Sequence, residues 1–102
     1  MNISKAFETF GKEAPEHHAV WMEAVNKLDS VSKLDKKTEE LAYIAVLSAV
    51  RLESGLPFHV KMAKSHGASR DEIISAVLLG LPAVGNIVTG SLPMAIKSFD
   101  ED

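Results

Sequence analysis

Residues 41–50, Leu-Ala-Tyr-Ile-Ala-Val-Leu-Ser-Ala-Val, carry no charged side chain and are apolar at nearly every position. No alternation of apolar and polar residues runs through them, so they read as the interior of a helix. A helix that is apolar all round has to be buried on all sides. The 102 residues of the chain have room for one domain and one modest core. Yet a second segment, from Arg70 to about Leu81, is again apolar on most faces. Two fully buried helices are more than one compact chain of this size easily covers. The expectation is a single domain over residues 1–102 that assembles as a homo-oligomer. Small residues (Ala83, Gly85, Gly90, Ser91) would permit close helix approach.

Helical signals dominate the rest of the chain, and no strand pattern persists. A short first helix is expected from Ser4 to about Lys12, with Ala6, Phe7 and Phe10 on one face. Pro15 suits the first turn of a second helix reaching about Leu28. Its apolar stripe is Val20, Trp21, Ala24, Val25 and Leu28, and residues 29–34 read as a loop. Asp35 is a good N-cap, and Glu39 and Glu40 put negative charge near the positive end of a third helix, which runs to about Leu52. Glu53-Ser54-Gly55-Leu56 breaks it, Pro57 restarts it, and Gly67 suits a left-handed C′ position. Ser69 and Glu72 have capping-box spacing. Pro82 kinks or ends the helix that begins at Arg70. A last, irregular helix covers roughly Asn86 to Phe99, around Gly90 and Pro93. The sum is an all-α fold of five to six helices.

Composition narrows the function. Hydrophobic residues make up 46% and charged residues 25%, which fits a soluble globular domain rather than a disordered chain. A net charge of −3 leaves no basic footprint for nucleic acid. The acidic end, Asp100-Glu101-Asp102, is too short for an interaction tail. With zero cysteines there is no disulfide, thiolate metal site or thiol catalysis. Met1-Asn2-Ile3-Ser4-Lys5 lacks the apolar run of a signal peptide. Residues 41–50 and 76–84 fall short of the ~20 residues a membrane span needs. These features predict a cytoplasmic protein with no nucleic-acid or membrane partner.

Among side chains able to carry chemistry, His59 follows a Gly/Pro loop just inside a helix start. Histidines in such places are commonly exposed or merely hydrogen-bonded, but no side chain is better suited to proton transfer near neutral pH. Glu40 can complement the helix dipole. It also shares a helical stripe with Ile44, Leu47 and Arg51. If that stripe is buried, Glu40 must be paired or its pKa must rise, and a carboxylate beside an imidazole makes a proton relay. Arg51 can stabilise the helix C-terminus or bind a substrate carboxylate. Ser54 and Gly55 offer a hydroxyl and an open backbone, or simply a turn. No nucleophile–base–orienter set accompanies them. His17 and His18 are adjacent and point to different faces, unlike the i, i+4 pair of a zinc helix, and His66 precedes Gly67 at a helix end. These three are assigned to structure or surface, and no metal site is expected.

The run Lys36-Lys37-Thr38-Glu39-Glu40-Leu41-Ala42-Tyr43-Ile44-Ala45-Val46, followed by Phe58-His59-Val60-Lys61-Met62-Ala63-Lys64-Ser65-His66-Gly67-Ala68-Ser69-Arg70-Asp71-Glu72-Ile73, resembles the carboxymuconolactone decarboxylase family. That family also contains the AhpD-like alkylhydroperoxidases. In weaker form the likeness extends from Phe10 to Phe99. It implies an AhpD-like helical domain that assembles as a homotrimer or homohexamer. In AhpD-like members a glutamate, a Cys-x-x-Cys pair and a histidine form a redox proton relay. The glutamate falls on Glu40 and the histidine on His59. The cysteines fall on Leu52 and Gly55, which can form neither thiolate nor disulfide. Decarboxylase-type members also lack the pair, although their loop before the histidine is richer in charge than this one, where only Arg51 and Glu53 are charged. The resemblance therefore implies a lyase acting on a small carboxylated lactone or related compound without metal or organic cofactor. His59 would be the catalytic acid or base and Glu40 would orient it. Arg51, with Ser54 and Gly55, would bind substrate. The alternative is a non-catalytic oligomeric or small-ligand-binding member that kept the scaffold after losing the thiols.

Overall fold

A computed structural model describes residues 3–101. Met1 and Asn2 of the amino-terminal segment, and Asp102 of the acidic end, lie outside the described residues. Among the described residues the chain is all-α, without strands. Its helices are α1 (Lys5–Glu13), α2 (Pro15–Val31), α3 (Lys36–Val50), α4 (Leu56–Ser65), α5 (Arg70–Leu78), the single turn α6 (Leu81–Val84) and α7 (Leu92–Asp100). Two 3-10 segments, Glu53–Gly55 and Asn86–Ser91, precede α4 and α7.

Local chemistry explains most of the boundaries. The Ser4 hydroxyl accepts from the Phe7 N–H, and the Asp35 carboxylate accepts from the Thr38 N–H, so both helices begin on side-chain caps. At α5 the capping box is complete. Glu72 N–H donates to Ser69 Oγ at 3.1 Å, and Ser69 N–H donates to Glu72 Oε1 at 2.9 Å. Pro15, Pro57, Pro82 and Pro93 all stand in first turns, where the missing N–H has no helical partner to lose. Gly67 ends α4 at φ 94°.

Four boundaries differ from the sequence expectation. α2 continues to Val31, because Asp29-Ser30-Val31 contains neither glycine nor proline to stop it. α3 stops at Val50, where Arg51 adopts the left-handed conformation (φ 62°) and Leu52 N–H returns to the Leu47 carbonyl. α5 stops at Leu78, ahead of the turn that places Pro82 in a helix start of its own. The expected last helix divides into the 3-10 segment and α7, with Pro93 at the junction.

α3, α4, α7 and α5 pack in a closed ring, each against the next. Ile44, Leu56, Val60, Ile73, Val77 and Ala95 meet inside it with no solvent exposure. Polar contacts fasten the rim. Lys37 bridges α3 to Glu72 of α5 at 2.9 Å, and Arg70 reaches Asp100 of α7 at 3.0 Å. Hydrogen bonding to Lys37 holds the Glu72 carboxyl below its ordinary pKa, and hydrogen bonding to Arg70 does the same for Asp100.

The expectation that the uncharged segment is buried on all sides does not hold within one chain. α3 buries only Ile44, Leu47 and Ser48. Tyr43, Val46 and Val50 are 49%, 59% and 58% exposed, because the ring of helices covers α3 on one side only. α1 and α2 pack chiefly on one another, through the rings of Phe7, Phe10 and His18. α2 consequently buries none of its residues, and Val20, Trp21 and Leu28 of its apolar stripe face outward.

Candidate functional site

The α3–α4 hairpin builds the site. Arg51 stops α3, the Glu53–Gly55 turn reverses the chain, and α4 returns along α3. His59 is thereby carried to Glu40, nineteen residues earlier, and its Nδ1 lies 2.7 Å from Glu40 Oε1. Both side chains are largely withdrawn from solvent, His59 to 21% exposure and Glu40 to 14%. The stripe shared with Ile44 and Leu47 is the buried one, so Glu40 is drawn into the edge of the core and paired there.

The contact engages one ring nitrogen only. In the Nδ1–H tautomer the ring donates to Glu40 Oε1. Nε2 then points elsewhere, and no hydrogen bond engages it among the described residues. This is the arrangement in which a carboxylate sets the tautomer of an imidazole and leaves the second nitrogen free to take or give a proton.

Two aromatic rings complete the surroundings. Tyr43, one turn after Glu40 on α3, stacks on the imidazole with centroids 4.1 Å apart and planes 19° from parallel. Phe58 meets it edge-on at 5.1 Å and 82°. Sequence reasoning passed over both. The signal available for Tyr43 was its i+3 spacing from Glu40, which puts the two side chains on one face of α3.

Among the described residues none of the expected substrate-binding residues hydrogen-bonds to this pair. Arg51 lies eleven residues beyond Glu40 on the same helix, roughly 16 Å along the axis at 1.5 Å per residue. Its guanidinium contacts Glu53 at 3.3 Å and packs over Gly90, where an added Cβ would stand 3.0 Å from Cζ. Ser54 is exposed in the 3-10 turn. Gly55 is where the backbone approaches the core, since a Cβ there would come within 3.2 Å of Leu47 Cδ1. The structure thus joins Glu40 to His59 by a hydrogen bond, while Arg51 and Ser54 lie in the turn between α3 and α4 and Gly55 caps α4 one helical turn before His59.

The remaining histidines have separate settings. His18 belongs to the aromatic cluster that joins α1 to α2, His17 borders a groove on α2, and His66 is an exposed helix end. That groove, about 610 Å³, lies between Phe10 and the Val20, Trp21 and Ala24 side chains. A second hollow of about 400 Å³ runs between Pro57 and α7. Neither includes Glu40 or His59 in its walls. Among the described residues no helix is long and apolar enough to cross a membrane.

Comparison with known proteins adds one finding. The Carboxymuconolactone decarboxylase family model matches residues 15–91, from the start of α2 through the 3-10 segment before α7. The matched span contains Glu40, Arg51 and His59, and is shorter at both ends than the likeness read from Phe10 to Phe99. No curated protein matches the chain, and neither does any solved structure.

Proposed function

Because this chain belongs to the carboxymuconolactone decarboxylase family, we propose that it is a cofactor-independent lyase acting on a small carboxylated lactone or a related compound. The observation that carries the reading is the 2.7 Å contact between Glu40 and His59, with Nε2 of the imidazole left unengaged. In the proposed reaction the bond between the carboxylate carbon and the ring breaks. Its electron pair moves into the unsaturated lactone, and carbon dioxide departs. His59, protonated on Nε2, gives that proton to the carbon left behind, while Glu40 stabilises and orients the ring throughout. No role is assigned to Arg51 of the same chain, whose guanidinium is engaged by Glu53 at the other end of α3. Peroxide reduction through a cysteine pair has no place in this reading, because the chain has no cysteine.

The proposed working form is a homo-oligomer, trimeric or hexameric as in the family. Support comes from the two apolar faces that one chain leaves open, on α2 (Val20, Trp21, Leu28) and on α3 (Val46, Val50). The same faces favour a second reading, in which the protein is an assembling or ligand-binding scaffold without catalysis.

Turnover of carboxymuconolactone, followed by loss of substrate absorbance and by carbon dioxide release, tests the choice. His59→Ala is expected to abolish turnover while assembly and melting temperature stay close to wild type. Absence of turnover in the wild-type protein across a panel of carboxylated lactones would exclude the lyase reading and leave the scaffold.

A further inference from the structure

We propose that Tyr43 is a positioning residue that fixes the plane of the His59 imidazole, an inference that rests on His59 being the acid–base group. The physical need is clear from the side chain itself. The last torsion of a histidine joins an sp³ to an sp² atom and has a broad, roughly two-fold profile, so nothing intrinsic holds the ring in one orientation. The hydrogen bond to Glu40 fixes a single point, Nδ1. About the Nδ1···Oε1 line the ring can still swing, and a half-turn of the torsion exchanges Nδ1 for the opposite carbon and detaches Glu40.

Tyr43 supplies the missing constraint. Its ring lies 4.1 Å from the imidazole centroid and 19° from parallel, which defines a plane rather than a point. Glu40 and Tyr43 stand one turn apart on α3, so one helix face presents both the hydrogen-bond acceptor and the flat surface. Phe58 closes the edge at 82° without adding a second parallel face. The Tyr43 hydroxyl makes no hydrogen bond among the described residues, and the side chain is 49% exposed. What Tyr43 does offer His59 is its ring face. With the point and the plane both set, Nε2 has one direction, the condition for proton transfer to a bound substrate.

The test reads the imidazole in the resting protein, so it needs no turnover and stands apart from the test of the lyase reading. Protein labelled with ¹⁵N-histidine is compared as wild type, Tyr43→Phe and Tyr43→Leu, with His59→Gln to assign the His59 signals. Two-bond proton–nitrogen correlations then report the Nδ1–H and Nε2–H tautomers at a pH where the ring is neutral. Wild type and Tyr43→Phe are expected to share a predominant Nδ1–H form. In Tyr43→Leu, which keeps the apolar bulk and loses the flat face, the ratio of Nδ1–H to Nε2–H is expected to fall about three- to tenfold, the scale of a stacked aromatic contact. A Tyr43→Leu ratio within twofold of wild type would overturn the proposal. So would failure of Tyr43→Phe to retain the wild-type pattern. Should Tyr43→Leu not fold, the wild-type spectrum decides. Stacking requires the His59 ring protons to be shifted upfield by the Tyr43 ring, and unshifted protons refute it.

Discussion

Replacing Glu40 and His59 by alanine, singly and together, measures how strongly α3 and α4 are joined through the site. A hydrogen bond to an ionised partner is worth about 1.5–3 kcal/mol net. The 2.7 Å separation is that of a charge-assisted bond, but the 21% and 14% exposure of the two side chains lets water compete. The lower part of the range is therefore expected, a coupling of about 1.5–2 kcal/mol. The stack on Tyr43 is lost in both proteins that carry His59→Ala, so it cancels from the cycle and leaves the pair term. Urea unfolding of the four proteins at one protomer concentration gives the number directly, the fixed concentration removing any contribution from assembly. A coupling below about 0.5 kcal/mol, the scatter of independent sites, would refute the claim that Glu40 holds His59.

Other consequences follow from the rim and the open faces. The carboxyls of Glu72 and Asp100 are held below their ordinary values of 4.5 and 3.8 by Lys37 and Arg70, so their contribution is complete above those values and is lost as pH falls through the lowered ones. The urea midpoint should therefore drop on acidification below about pH 4, and Lys37→Gln with Arg70→Gln should flatten that part of the profile; an unchanged profile would show that neither pair contributes. Ser69→Ala removes one half of the capping box at α5 and should cost about 1 kcal/mol by chemical unfolding, whereas a neutral result would mean that Glu72 alone caps the helix. Val46→Asp places a charge on the open face of α3, where a lone chain tolerates it. Light scattering should then show smaller particles than wild type, and an unchanged mass would place the interface elsewhere.

Much of the fold was legible from local chemistry. Ser4, Asp35 and the Ser69–Glu72 box announced three helix starts, and Pro15 and Pro57 announced two more, whereas Pro82 and Pro93, expected to end or distort a helix, each open one, because a proline costs little only in a first turn. The ends that escaped reading are those where a helix stops without an obvious signal. α3 ends on Arg51 in the left-handed conformation, a position more often given to glycine, and α2 runs on through Asp29-Ser30-Val31 because nothing there breaks it.

For the site, spacing on one helix named Glu40, and the resemblance paired it with His59. Neither could foresee Tyr43 lying flat on the imidazole, nor Arg51 turning to Glu53 where α3 ends. What the sequence by itself determined is a cysteine-free, all-helical domain of this family, since caps, prolines, periodicity and composition act over a few residues or over the chain as a whole. Which side chains meet was decided by the tertiary structure alone. It depends on how α4 crosses α3 and on which side of each helix the ring covers, and both follow from packing among residues far apart in the chain. The same packing left half of the uncharged segment in the open, where its sequence alone had demanded burial.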